Sequence, residues 1–119
     1  MRRGMRIRIG KAVVSAQVAD TLPKLALGLM FRAKLAPGDG MLLSFGRTAN
    51  HAIHMWFVRL PLDVIFIKED GTIARIHRAA PWGLPFAAGS PVRYVLEVNG
   101  GFCRRNGIKA GDKCLGLPG

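Results

Sequence analysis

Acidic residues are scarce in this chain. Seven Asp and Glu stand against 18 Lys and Arg in 119 residues, a formal charge of +11. Such a surface attracts anions, nucleic acid first among them. The cations are nevertheless scattered from Arg2 to Lys113, and Arg2, Arg3, Arg6 and Arg8 form the one local cluster. Charge alone therefore supports nonspecific nucleic-acid binding, set against charge that merely keeps a protein dispersed. Cysteine is nearly absent. Cys103 and Cys114 stand eleven positions apart, which is neither a metal spacing nor a disulfide framework, so they read as two ordinary thiols. No run approaches 18 consecutive apolar residues, so no membrane span is expected. The basic start "MRRGMRIRIG" is followed by no apolar h-region or small-residue cleavage site, so no signal peptide is read and the chain as written reads as cytoplasmic. An exported or anchored protein whose N-terminal signal had been removed would read the same way. Repeats, low-complexity segments and linkers are missing too, so residues 1–119 read as a single compact domain, large enough to bury a core without staples. Half the residues are hydrophobic, as in a globular chain.

Several chemistries lack their motifs. Ser15, Ser44 and Ser90 lie in no G-x-S-x-G elbow. No Gly-rich loop has the GxxxxGK[ST] spacing that cradles phosphate, and the Gly-Ile-Lys-Ala-Gly-Asp turn is explained by glycines at positive φ. A Cys–His nucleophile would need Cys103 or Cys114 beside an oriented histidine, and nothing local provides one. His51, His54 and Met55 have the ligand chemistry for copper or zinc, but residues three apart on a strand face opposite sides. The sequence thus calls for no catalytic residue, no metal and no cofactor.

What is present is the pattern of short strands. "MRIRIG" alternates Met5, Ile7 and Ile9 with Arg6 and Arg8, the period of a strand with one wet face. Gly10-Lys11 supplies a hairpin turn into "AVVSAQVA", which makes the Arg cluster the solvated face of an edge hairpin. "DTLPKLALGLMFR", residues 20–32, predicts a helix. Asp20 or Thr21 can cap it, Pro23 fits the first turn, and Leu22, Leu25, Ala26 and Leu29 form one apolar face. Arg32 would suit the negative pole of its dipole. After "APGDG", "MLLSF" begins the next strand. Residues 53–60 predict a strand covered on both sides, with Ile53, Met55, Phe57 and Arg59 on one face and His54, Trp56, Val58 and Leu60 on the other. Pro61, which cannot donate to a ladder, marks a bend or bulge before the buried strand "DVIFI". Asp70-Gly71 signals a tight hairpin into "TIARIHR". "APWGLPFAAGSP" is a long loop. "VRYVLEV" turns Val92, Tyr94, Leu96 and Val98 inward, "GGFCRRNG" forms one short helix ending at Gly107, and "IKAGDKCLGL" is a turn and a last strand. The fold expected is mainly β with minor α: a small β-barrel or sandwich of about seven short strands with one clear helix across an opening.

The segments "VADTLPKLALGLMFRAKLAPGDGMLL", "HMWFVRLPLDVIFIKEDGTIARI", "APW" and "VRYVLEVNGGFCRRNGIKAGDK" occur in this order in one uncharacterised prokaryotic family, domain of unknown function 192. The chain resembles that family over roughly residues 12 to 116. The shared signature is the Gly28-Leu29-Met30 helix end, the aromatic run before Pro61-Leu62-Asp63, the Leu96-Glu97 pair and the terminal Gly107-Ile108-x-x-Gly111-Asp112. The resemblance implies a compact, β-rich single domain. It carries over no activity and no catalytic residues. Many similar proteins have an N-terminal export signal or anchor, which keeps the compartment open. "EVNGGF" departs from the family's usual Leu-Glu-Leu-Pro-Ala-Gly pattern, a difference confined to a loop.

The polar residues inside the apolar stretch 54–67 pose the functional question. One reading pairs Arg59 with Asp63 as a fork across the Pro61 bend, since buried charges need partners. The other leaves Arg59 to grip an anionic ligand between Trp56 and Trp82. A functional surface is expected where the loop 80–89 meets the strand bearing His54 and Trp56, with His54, Trp56, Arg59, Asp63, Trp82 and Phe86 as candidate binding residues. The function expected is a non-enzymatic β-domain that binds a small ligand or a protein partner. A hydrolase acting on an anionic substrate and a basic nucleic-acid-binding module are the alternatives.

Overall fold

Strands form where hydrophobicity alternates. The computed structural model describes residues 4–30, 32 and 34–119; Arg2, Arg3 and the side chain of Ala26, invoked above, lie outside the described residues. β1 (Met5–Ile9) and β2 (Ala12–Ala19) make an antiparallel hairpin in which Ile9 faces Ala12 across Gly10-Lys11. Gly10 takes a φ of 60°, open to glycine without strain. Ile7, Ile9, Val14 and Ala16 are buried, while Arg6 and Arg8 stay in solvent.

β2 then pairs in parallel with β3 (Asp39–Ala49), a geometry that requires a crossover. The crossover carries α1 (Leu22–Leu27), much shorter than the helix expected over residues 20–32. It stops at Gly28, whose φ of 49° and ψ of −124° leave the helical region. Leu22 is therefore exposed, and Leu29 is buried by the turn and not by a continuing helical face. Thr21 stands at the N-cap without a side-chain hydrogen bond. Arg32 lies beyond the helix, where its Nη2 donates to Gln17 Oε1 at 2.8 Å.

β5 (Leu62–Ile67) is buried at every position, as a strand covered on both faces should be. It turns into β6 (Ile73–Ala79) through the expected Asp70-Gly71 hairpin: Asp70 Oδ1 accepts the Thr72 N–H, and Gly71 has a φ of 91°. β8 (Val92–Asn99) lies between β5 and β3, and β9 (Cys114–Leu115) pairs with β1. The seven strands run in the order β6-β5-β8-β3-β2-β1-β9 and curl into a half-barrel. β1 is thus covered by β9 and is not the sheet's outermost strand. A second, two-stranded sheet joins β4 (Ala52–Ile53) to β7 (Phe86–Ala87). α2 (Phe102–Arg105) follows β8 and ends just before Gly107, at φ 64°. The described residues are mainly β with two short helices, neither long and apolar enough to cross a membrane.

Both faces of the large sheet are covered. One buries Ile7, Val14, Leu42, Ile65, Leu96 and Phe102, with α2 and the C-terminal segment over it. The other buries Met41, Leu43, Val64, Phe66 and Val95 beneath Leu29, Met55 and Val58. The inward alternation expected for β8 holds at Tyr94, Leu96 and Val98, but Val92 and Val95 are equally buried in the second layer.

Residues 54–61 depart most from expectation. Only Ala52 and Ile53 are strand; the chain then turns, with the Val58 N–H donating to the Met55 carbonyl at 3.1 Å and Phe57 at a φ of 60°. The turn buries Met55, Val58 and Leu60 together and leaves Trp56, Phe57 and Arg59 exposed, mixing the two predicted faces.

Candidate functional site

β8 runs inside the sheet between β5 and β3, and its alternation sends Val95 and Glu97 into the second core layer. Glu97 stands opposite Met41 on β3 and Val64 on β5, so strands flank it on both sides. Its Oε1 is buried and has no hydrogen-bond partner among the described residues. Desolvation pushes its carboxyl up to about 7 from an ordinary 4.5. Buried polar groups are nearly always hydrogen-bonded, so this oxygen stands out.

The turn after α1 lies directly against it. A Cβ on Gly28 would stand 3.6 Å from Glu97 Oε1. On one side of this turn is a cleft of about 50 Å³, lined by Leu25, Met30, Leu43, Phe45, His54 and Glu97 among others. On the other side a wider cleft of about 250 Å³ runs between α1 and β2, lined by Val18, Met30 and Met41 with Lys24, Arg32 and Gln17 at its polar positions. Leu27, Gly28 and Met30 line both. The result is an apolar recess whose inner end holds one titratable acid.

Of the residues expected to form a site, His54 alone joins this recess. It is half-buried, its Nδ1 accepts the Trp56 N–H at 3.2 Å, and its ring lies 5.2 Å from that of Trp56. With Nδ1 accepting, the neutral ring carries its proton on Nε2. Trp56 and Trp82 line neither cleft. Trp82 instead packs edge-on against Phe57, ring centroids 5.0 Å apart, and its N–H donates to the Val58 carbonyl at 3.1 Å. The loop 80–89 therefore does meet residues 54–58, through Phe57 and on an exposed surface. Phe86 lies half-buried against His77 at 4.0 Å and Phe66 at 6.0 Å.

Arg59 and Asp63 do not form a clamp. Arg59 is exposed, whereas Asp63 is buried on the opposite face of the sheet. Asp63 Oδ2 accepts the backbone N–H groups of Gly101 at 3.1 Å and Cys103 at 2.9 Å. Its Oδ1 lies 3.9 Å from the exposed Arg78 Nε. The expected pairing fails because alternation along β5 puts Asp63 toward α2, where helix-start N–H groups need acceptors. Asp63 thus holds α2 onto the sheet and takes no part in a surface with His54 or Trp82.

The other histidines and the two cysteines lie outside this recess. His51 is buried, stacks on Phe45 at 3.8 Å, and has its Nε2 3.0 Å from the Arg47 carbonyl, so that nitrogen carries the proton. His77 is held below its ordinary range by partial burial and by Arg75. Both cysteines are buried and pushed up to about 12, Cys103 by burial and the nearby Asp63, Cys114 by burial and Asp112. Thiols so far from ionisation are poor nucleophiles. Among the described residues, no three His, Cys, Asp or Glu side chains gather as a metal site would require.

The model of the family described as "Uncharacterized ACR", domain of unknown function 192, matches residues 5–115. The chain belongs to this family. The match to domain of unknown function 192 begins at β1, upstream of the segments that carry the sequence resemblance. Among its relatives are a UPF0127 protein of Pyrococcus abyssi, 29% identical over 99 residues (82% of this chain, 81% of that protein), and one of Pyrococcus furiosus, 26% identical over 110 residues (92% and 93%). Two crystal structures are similar. One, from Sinorhizobium meliloti and provisionally described as a transcription regulator, is 36% identical with a TM-score of 0.92, covering 97% of this chain and 95% of that one. The other, a protein of unknown function from Novosphingobium aromaticivorans, is 33% identical with a TM-score of 0.88, covering 93% and 84%.

Glu97 was singled out in the sequence only as half of the Leu96-Glu97 signature. The face it shares with Arg93 and Val95 has the pattern of a solvated one, so no local signal marks its burial.

Proposed function

We propose that the domain binds a small ligand in the recess between α1 and the sheet, with an apolar body against Met30, Leu43 and Phe45 and a hydrogen-bond donor directed at Glu97. The observation that carries this reading is the buried Glu97 Oε1, which faces the recess without a hydrogen-bond partner among the described residues. A buried acceptor left unsatisfied costs about 1–3 kcal/mol, which a ligand N–H or O–H would recover on binding. The chain's charge of +11 works against a cation, so a neutral hydroxyl or amide donor fits best. The test uses 1-hexanol, its methyl ether and hexanoate as probes, with amide NMR shifts at Gly28 and Glu97 as the readout. Hexanol should move those resonances in the wild type and not in Glu97→Leu, and the ether, which lacks a donor, should bind more weakly. Equal response to hexanol and its ether, or no response to either, would refute the reading.

A hydrolytic reading has one observation behind it: Glu97, with its raised pKa, and His54 line the same cleft. It requires turnover of a model ester that disappears in Glu97→Gln. The nucleic-acid reading draws on the net charge and on the provisional description of the Sinorhizobium protein.

A further inference from the structure

Away from this recess, the chain holds two bulky residues in backbone conformations that disfavour side chains. Phe57 and Trp82, at φ 60° and 58°, are the two non-glycine residues at positive φ among those described. Strain of this kind persists only when the surroundings impose it, and it clusters at functional positions. Here its effect is visible. The Trp82 N–H bond to the Val58 carbonyl ties the two loops together, and both rings are presented outward, side by side. Trp56 is 58% exposed, Phe57 45%, Trp82 57% and Leu84 86%. Residues 54–61 and 80–91 contain no acid, and Arg59 is their one Lys or Arg.

The exposed charge around this patch is mainly positive. Leu62 pairs with both Ala79 and Asn99, so residues 59–61, 80–82 and 100–101 all emerge at the same end of the sheet, and α2 starts from there. Arg59 and Arg78 are exposed there, and Arg104 and Arg105 are exposed on α2 just beyond. The Arg105 and Arg78 guanidinium groups converge on Gly101, 2.8 and 3.7 Å from where its Cβ would stand. Asp63, the acid beneath them, is buried and bonded to backbone. The exposed Asp39 begins β3, separated from β5 by β8.

We infer that this end of the domain is a membrane-surface site, on which Trp56, Phe57, Trp82 and Leu84 enter the interfacial layer of an anionic bilayer while the arginines engage its headgroups. Tryptophan rings favour that layer, and basic residues beside an apolar tip add attraction to anionic lipid. Single-stranded nucleic acid fits less well. A stacking platform needs open ring faces interleaved with cations. Here Phe57 and Trp82 spend contact on each other, and Leu84, between Gly83 and Pro85, has no π-face to offer.

Trp56 and Trp82 are the chain's two tryptophans, so tryptophan emission, excited selectively over the buried Tyr94, reports on this patch alone. The full chain is titrated with vesicles of pure phosphatidylcholine and with vesicles containing about one quarter phosphatidylglycerol. A blue shift with the anionic vesicles is expected, reversed by salt, with binding to pure phosphatidylcholine at least about tenfold weaker. Trp82→Gly suits the positive φ and should leave the fold intact, yet weaken cosedimentation with anionic vesicles about tenfold. Arg104→Gln with Arg105→Gln should remove most of the preference for anionic lipid. The inference is overturned by no shift with either vesicle, or by Trp82→Gly binding as well as the wild type. Quenching by single-stranded oligonucleotide at physiological salt without vesicle binding would also overturn it, and would assign the patch to nucleic acid.

Discussion

Glu97 should impose a measurable pH dependence on folding. In the unfolded chain its carboxyl ionises near 4.5, and in the folded protein near 7, because burial disfavours the charged form. Between those values the folded state holds a proton that the unfolded state has released, so raising the pH favours unfolding. Stability from this group is fully present below pH 4.5 and declines as pH rises through about 7. The slope is about 1.4 kcal/mol per pH unit, about 3 kcal/mol across the window. The assay is a series of urea titrations from about pH 4.5 to about pH 8, run on the wild type and on Glu97→Gln. The glutamine keeps the shape without the proton equilibrium, so the difference between the two proteins isolates this group from the histidines and surface acids. Wild type should lose stability relative to Glu97→Gln as pH rises, then run parallel to it. A difference that stays constant across the range would refute the burial argument, and with it the picture of a desolvated acid in the recess.

Three further outcomes follow from the same structure. Asp63→Ala leaves two buried N–H groups without an acceptor and should cost about 3–5 kcal/mol in a denaturant titration, whereas Arg59→Ala should change stability by less than about 0.5 kcal/mol; comparable losses would restore the Arg59–Asp63 pair. Gly71→Ala places a methyl 2.8 Å from the Cys114 carbonyl oxygen at a φ of 91°, so a drop in melting temperature worth about 2 kcal/mol or more is expected, and a neutral result would mean the hairpin relaxes freely. Binding of unrelated oligonucleotides, followed by fluorescence anisotropy, should be nonspecific and collapse between low and physiological salt, since counterion release alone drives it; tight, sequence-selective binding would put nucleic acid first among the partners.

Local signals were legible and distant ones were not. Alternating Ile and Arg around Gly10-Lys11, and Asp70-Gly71 between two apolar runs, specify hairpins through turn chemistry that acts within a few residues. The continuous apolar run of β5 announced a strand covered on both faces. Residues 53–60 have the same apolar character, yet they turn, because that composition says only that a segment is covered. Nothing nearby signals that Phe57 will take a positive φ, a conformation imposed by its neighbours. The helix from Leu22 looked longer because Leu29 keeps the spacing, but Gly28 ends it. The partners of Asp63, 38 and 40 residues downstream, depend on which strand β5 lies beside and on which face α2 settles. The burial of Glu97 is illegible for the same reason, since it follows from a second layer to which Leu29, Met55 and Val58 contribute.

The central place of β8 also sets an order on assembly. β1, β2 and β3 can join as one unit and β5 with β6 as another, but the two meet only through a strand that ends at Asn99. During synthesis, most of the chain must wait with the edges of β3 and β5 unpaired until that strand leaves the ribosome. Such long-range closure makes for slow folding, and open edges invite pairing with other chains. Chains truncated before Val92 should therefore aggregate as exposed half-sheets instead of persisting as smaller folded domains, and the domain should depend on protection during translation more than its length suggests.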